Sequence, residues 1–134
     1  MIKYNPKAGV WMPNELFLSP AYQCLSKSSR NLFHCLMNEL RYTKGNYSNK
    51  RTFTNNGGVS LTEIQFKERF QCTSQTYLNA RDKLIEVGLI KLTYRGGKGR
   101  GDMTKYKILA LTNLPKDEQR WLKYPEMNWV SDIP

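Results

Sequence analysis

Apolar residues return at three- and four-residue steps along three stretches of this chain and alternate with polar residues in two more. That pattern predicts a run of helices followed by a hairpin. Between Ser26 and about Tyr42, Leu32, Phe33, Leu36, Met37 and Leu40 share a stripe, while Lys27, Arg30, Asn31, Asn38 and Arg41 take other faces. Such a helix buries one side against a core. Ser26 is a suitable cap for it, and Ser19 before Pro20 starts a shorter helix through about Leu25. A second pattern opens at Ser60, which with Glu63 three residues on has the form of a capping box. Its helix is expected to reach about Phe70 and to bury Leu61, Ile64 and either Phe66 or Phe70. Thr73 caps a third helix running to about Val87, with Tyr77, Ala80, Leu84 and Ile85 inward, and Gly88 stands where a left-handed residue ends a helix. Leu89 to Tyr94 and Tyr106 to Leu111 alternate and are rich in β-formers; the glycine-rich tip between them predicts a β-hairpin.

The remaining segments are less periodic. Residues 1–18, with Pro6, Gly9 and Pro13, read as an extended N-terminal arm whose Trp11 and Phe17 pack onto the body. Residues 43–58 are polar and aperiodic and read as a long loop. Residues 113–134 form a tail in which Trp121, Tyr124 and Trp129 pack back on the domain or meet a partner. Residues 19–112 make the main domain, of mainly α class with a small β-hairpin (α+β).

Composition narrows the chemistry. With 134 residues, 40% of them hydrophobic, the chain suffices for one folded core. No apolar run approaches the roughly 18 residues that cross a bilayer, and no apolar signal core follows Met1, so no membrane partner is expected. Cys24, Cys35 and Cys72 are far apart without ligand spacing, and His34 is the sole histidine, so neither a disulfide framework nor a metal or cofactor site is expected. Eleven carboxylates are scattered without a paired constellation, which argues against an enzyme. The run Gly96 to Gly101 is no phosphate-binding P-loop, since it lacks the Lys-Ser/Thr ending and precedes a strand.

Charge is where composition points to a partner. Of the net +10, nearly all lies between Arg41 and Lys107, which hold fourteen Lys and Arg against five Asp and Glu. A polyanion suits such a face, because every phosphate neutralised releases condensed counterions.

The segment GGVSLTEIQFKERFQCTSQTYLNARDKLIEVGLIKLTYRGGKGRGDMTKYKILALT resembles winged helix-turn-helix DNA-binding domains, and most of all the small helix-turn-helix proteins of phages, plasmids and other mobile elements. The likeness extends over about residues 16–125. It implies that one helix braces a second, which enters the major groove, while the hairpin follows the backbone. The recognition helix at about 74–87 would then offer Thr73, Ser74, Gln75, Thr76, Asn79 and Lys83; Gln and Asn suit adenine's donor–acceptor edge. In the wing at 95–105, Arg95, Lys98, Arg100 and Lys105 would grip phosphates, with glycines letting the backbone approach. Lys44, Lys50, Arg51 and Arg81 are further candidates for backbone contact. Two features depart from the family pattern: Arg81 stands where an aliphatic residue is usual, and the 43–58 segment is long.

The resemblance therefore implies double-stranded DNA as partner and a transcriptional regulator or replication accessory of a mobile element. With no apolar span and no signal core, the expected compartment is cytoplasmic, the host cell's cytoplasm if a phage or virus encodes the chain. An acidic protein partner, as in an inhibitor of a host nucleic-acid enzyme, stays open as the alternative, and an RNA or single-strand binder ranks last. A homodimer through the tail or the arm is compatible with the sequence, which has no heptad pattern for a coiled coil.

Overall fold

Leu32, Phe33 and Leu36, all fully buried, make α3 (Lys27–Asn38) the centre of the core. In this computed structural model, which describes residues 9–44, 51–53, 55–96 and 102–134, the chain is a mixed α+β arrangement. The Ser26 hydroxyl accepts the Ser29 amide at 3.2 Å and so starts the helix. Before it come α1 (Asn14–Phe17) and α2 (Pro20–Gln23), the latter capped by Ser19. The arm expected to be extended through residue 18 thus contains a helical turn, held by the fully buried Leu16. Trp11 is 69% exposed, so it does not pack onto the body as expected, whereas Phe17 lays its ring against Tyr22 at 5.7 Å between centroids; Leu16 takes the fully buried position.

α3 ends at Asn38, short of the expected Tyr42, because the chain turns into a strand. β1 (Tyr42–Lys44) pairs antiparallel with β2 (Arg51–Phe53), with Tyr42 opposite Phe53. A hairpin therefore occupies part of what its composition predicts as loop. Two asparagines anchor it. Asn55 accepts the Arg41 amide and donates to the Glu39 carbonyl, while Asn56 makes both bonds of a strand partner with Ile108, at 2.7 and 2.9 Å.

The pairing continues at Val59, which forms an isolated bridge with Tyr106, and residues 60–62 follow it outside any helix. This moves the start of α4 (Glu63–Phe70). The cap is Thr62, whose hydroxyl accepts the Gln65 amide while the Gln65 side chain accepts the Thr62 amide. Ser60, expected to be the cap, instead donates to the Thr104 carbonyl at 2.7 Å. With the helix starting two residues later, Ile64 faces out at 68% exposure and Phe66 is buried.

Gln71, at φ 49°, makes a left-handed turn, and Thr73 caps α5 (Ser74–Glu86). Tyr77, Ala80, Leu84 and Ile85 face inward, and α3 and α5 pack together. Gly88 (φ 84°) then sends the chain into β3 (Ile90–Tyr94). A Cβ there would also stand 2.6 Å from the Arg120 Cβ, so the tail's close approach needs glycine too. β4 (Lys105–Ile108) pairs antiparallel with β3, with an irregularity between Leu92 and Tyr94.

The tail closes the other side. Trp121, in a 3-10 turn at Arg120–Lys123, is only 2% exposed. The Trp129 amide donates to the Glu86 carbonyl at 3.0 Å, satisfying one of the carbonyls that a helix end leaves without an intrahelical donor.

Candidate nucleic-acid interface

The first two turns of α5 project polar side chains away from the core, and their hydrogen bonds hold them in order. Thr73 spends its hydroxyl accepting the Thr76 amide, and the two threonine hydroxyls lie 3.0 Å apart. Ser74 accepts from the Lys67 ammonium at 3.0 Å, which brings a cation from the last turn of α4 to the start of α5. Gln75 and Asn79, one helical turn apart and both exposed, join their amides: Gln75 Nε2 donates to Asn79 Oδ1 at 2.8 Å. Lys67 was absent from the residues singled out in the sequence. The only signal for it was its place in the final turn before a short link to the Thr73 cap, where two helices must approach.

Lys83 does not join this group. Its ammonium is bound to Glu86 at 2.9 Å, and that hydrogen bond, the largest influence, raises its pKa. Cys24 and Tyr124 stand beside it. The tail thus occupies the surroundings of the C-terminal half of α5, leaving the N-terminal half as the open end.

Arg81 is also placed differently from a lateral contact. Its side chain is 16% exposed and its guanidinium holds Asp82 at 2.9 Å. It lines a cleft of about 370 Å³ between α5, the start of α4 and the base of the β3–β4 hairpin. Tyr77, Tyr106, Glu63, Asp102 and Thr104 share that lining. Tyr77 donates to the Leu61 carbonyl at 3.0 Å, whereas the buried Tyr106 hydroxyl lies close to Tyr77 and Arg81 without a properly formed hydrogen bond. Burial raises the pKa of both phenols, against a smaller opposite pull from Arg81. The Arg81 guanidinium thus stands close to both phenols of the cleft. Glu63 and Asp102 make the cleft poorly suited to phosphate.

At the hairpin base Arg95 and Lys105 are exposed, and the Lys105 ammonium stands 5.7 Å from the centre of the Tyr94 ring. Tyr94 donates to Asp102, which raises the Tyr94 pKa. Gly96 lies where a Cβ would be 2.3 Å from the Asp102 carbonyl oxygen, so a side chain there would part the strands. Lys44 and Arg51 are backbone partners in the β1–β2 register. Lys50, Lys98 and Arg100 lie outside the described residues.

Among the described residues no group of three or more His, Cys, Asp or Glu is placed to hold a metal ion, and no helix is long and apolar enough to cross a membrane. The three cysteines are free, with Cys24 exposed and Cys35 buried. Comparisons with protein-family models, with curated proteins and with solved structures found no match.

Proposed function

We propose that this chain is a non-catalytic, double-stranded-DNA-binding protein built as a winged helix-turn-helix, acting as a transcriptional regulator or replication accessory of a mobile element. The observation that carries this reading is the open N-terminal half of α5, where Gln75 and Asn79 are exposed and Ser74 holds Lys67, followed by a hairpin with Arg95 and Lys105 at its base. In this reading α4 braces α5, α5 enters the major groove, and β3–β4 is the wing. Val59 against Tyr106 supplies the third, minimal strand. The excess of positive charge between Arg41 and Lys107 supplies attraction that does not depend on sequence.

The test is fluorescence anisotropy with labelled duplexes at several salt concentrations. Affinity is expected to fall linearly on a log–log plot, by roughly 0.9 for each phosphate neutralised. Replacing both Arg95 and Lys105 with Ala is expected to weaken every duplex alike and to flatten that slope by about 2. No binding at about 50 mM salt would sink the reading.

One observation favours a second reading, a winged-helix scaffold used as a protein-interaction module. Glu63 and Asp102 line the cleft between α5 and the wing, and Arg81 is tied to Asp82. Mixed charge of this kind suits a protein surface better than a phosphate chain. Failure to bind duplex would promote that reading.

A further inference from the structure

Gln75 and Asn79 are separate candidates in the sequence, but their side chains form one hydrogen-bonded pair on the open end of α5. That bond uses one N–H of Gln75 and one lone-pair direction of Asn79. Wholly uncommitted are the Gln75 carbonyl, an acceptor, and the Asn79 NH2, a donor; the bonded Gln75 nitrogen keeps one N–H and the bonded Asn79 oxygen one lone pair. The two amides can also turn over together, reversing the inner bond, and the outcome is the same: one free carbonyl beside one free NH2. An acceptor next to a donor complements adenine, which offers N6–H as donor and N7 as acceptor on its major-groove edge. Guanine offers two acceptors there, so it would leave the free carbonyl facing an oxygen. Thymine's O4 and cytosine's lone amino group each engage only half of the pair.

We propose that Gln75 and Asn79 act as a single adenine-reading unit, each amide orienting the other and the pair contacting one base. This rests on the DNA-binding reading above. Holding the two side chains together before contact lowers the rotamer entropy lost on binding, which is why a pair recognises one base better than two independent amides would. The remaining neighbours are consistent with that task. Thr76 is held by Thr73, and Ser74 by Lys67, so none competes for the pair.

The experiment begins with the full chain and a pool of randomised duplexes, from which bound sequences are selected. The selected site is expected to contain an adenine whose replacement by 7-deazaadenine, which lacks N7, weakens wild-type binding about tenfold. Gln75→Ala and Asn79→Ala are each expected to lose that sensitivity, and the double variant to lose no more than either alone, since the pair works as one unit. Both side chains are exposed, and the base analogue tests the contact in unaltered protein. A selected site with no essential adenine, an indifferent response to 7-deazaadenine, or additive losses from the two variants would overturn the paired reading while leaving DNA binding intact. If no duplex is retained even at low salt, the DNA-binding reading falls, and this inference with it.

Discussion

The Tyr106 hydroxyl is buried at the floor of the cleft without a formed hydrogen bond, and a hydroxyl in that position costs stability. Removing it should therefore help. Tyr106→Phe is expected to stabilise the chain by about 1 kcal/mol in urea unfolding, since a buried unsatisfied group carries its desolvation cost. A clear loss of stability would mean that the oxygen has a partner after all. The same residue shapes the alkaline limit. Folding raises the pKa of Tyr77 and Tyr106 above the unfolded value of about 10. The stability from keeping both phenols neutral is thus complete below about pH 10 and is lost as pH rises through the folded values. Tyr106→Phe should shift alkaline unfolding to higher pH, read by tyrosinate absorbance. Neither effect could be read from the sequence, where Tyr106 is one β-former in an alternating strand. Its burial comes from Val59 pairing across it and from α5 lying over it.

Among the elements, α5 was the most legible and α4 the least. Thr73, the inward Tyr77, Ala80, Leu84 and Ile85, and Gly88 all occupy the places that periodicity assigns them, because local rules and burial agree along that helix. At α4 two cap patterns overlap: Ser60 with Glu63, and Thr62 with Gln65. Local chemistry permits both, and the second forms where Val59 pairs with Tyr106 and the Ser60 hydroxyl is taken by the Thr104 carbonyl. Thr62→Ala should therefore lose about 1 kcal/mol and expose the Gln65 amide to hydrogen exchange. Ser60→Ala should leave that amide protected, although it loses the bond to Thr104. Reversed behaviour would restore Ser60 as the cap. The β1–β2 hairpin was missed for a similar reason. Its strands are three residues each, and its anchors, Asn55 and Asn56, look like ordinary loop residues until their partners Glu39, Arg41 and Ile108 are known. The binding candidates divide along the same line. Gln75 and Asn79 were visible as outward polar residues, but their pairing was not, and Lys83 and Arg81 needed Glu86 and Asp82 to be seen as engaged.

At the scale of the whole molecule, the two ends of the chain have unequal weight. Trp121 is buried beside Gly88, whereas Trp11 is 69% exposed on the opening segment. Trp121→Ala is expected to cost about 3–5 kcal/mol, a large share of a small domain's stability, because it opens a cavity at the α5–β3 junction. Trp11→Ala should cost under about 0.5 kcal/mol by the same denaturation measurement. Equal costs would mean that the tail is not part of the core. Local pattern was enough for α2, α3, α5 and the second hairpin, for the inward stripes of α3 and α5, and for the confinement of charge to the middle of the chain. Those follow from local periodicity, capping chemistry and counting, which need no neighbour. Tertiary structure alone decided where α4 begins, that the tail belongs to the core, and which cations and amides are already engaged. Each of those depends on residues distant in sequence, such as Val59 with Tyr106 or Gly88 with Arg120, whose meeting no local pattern encodes.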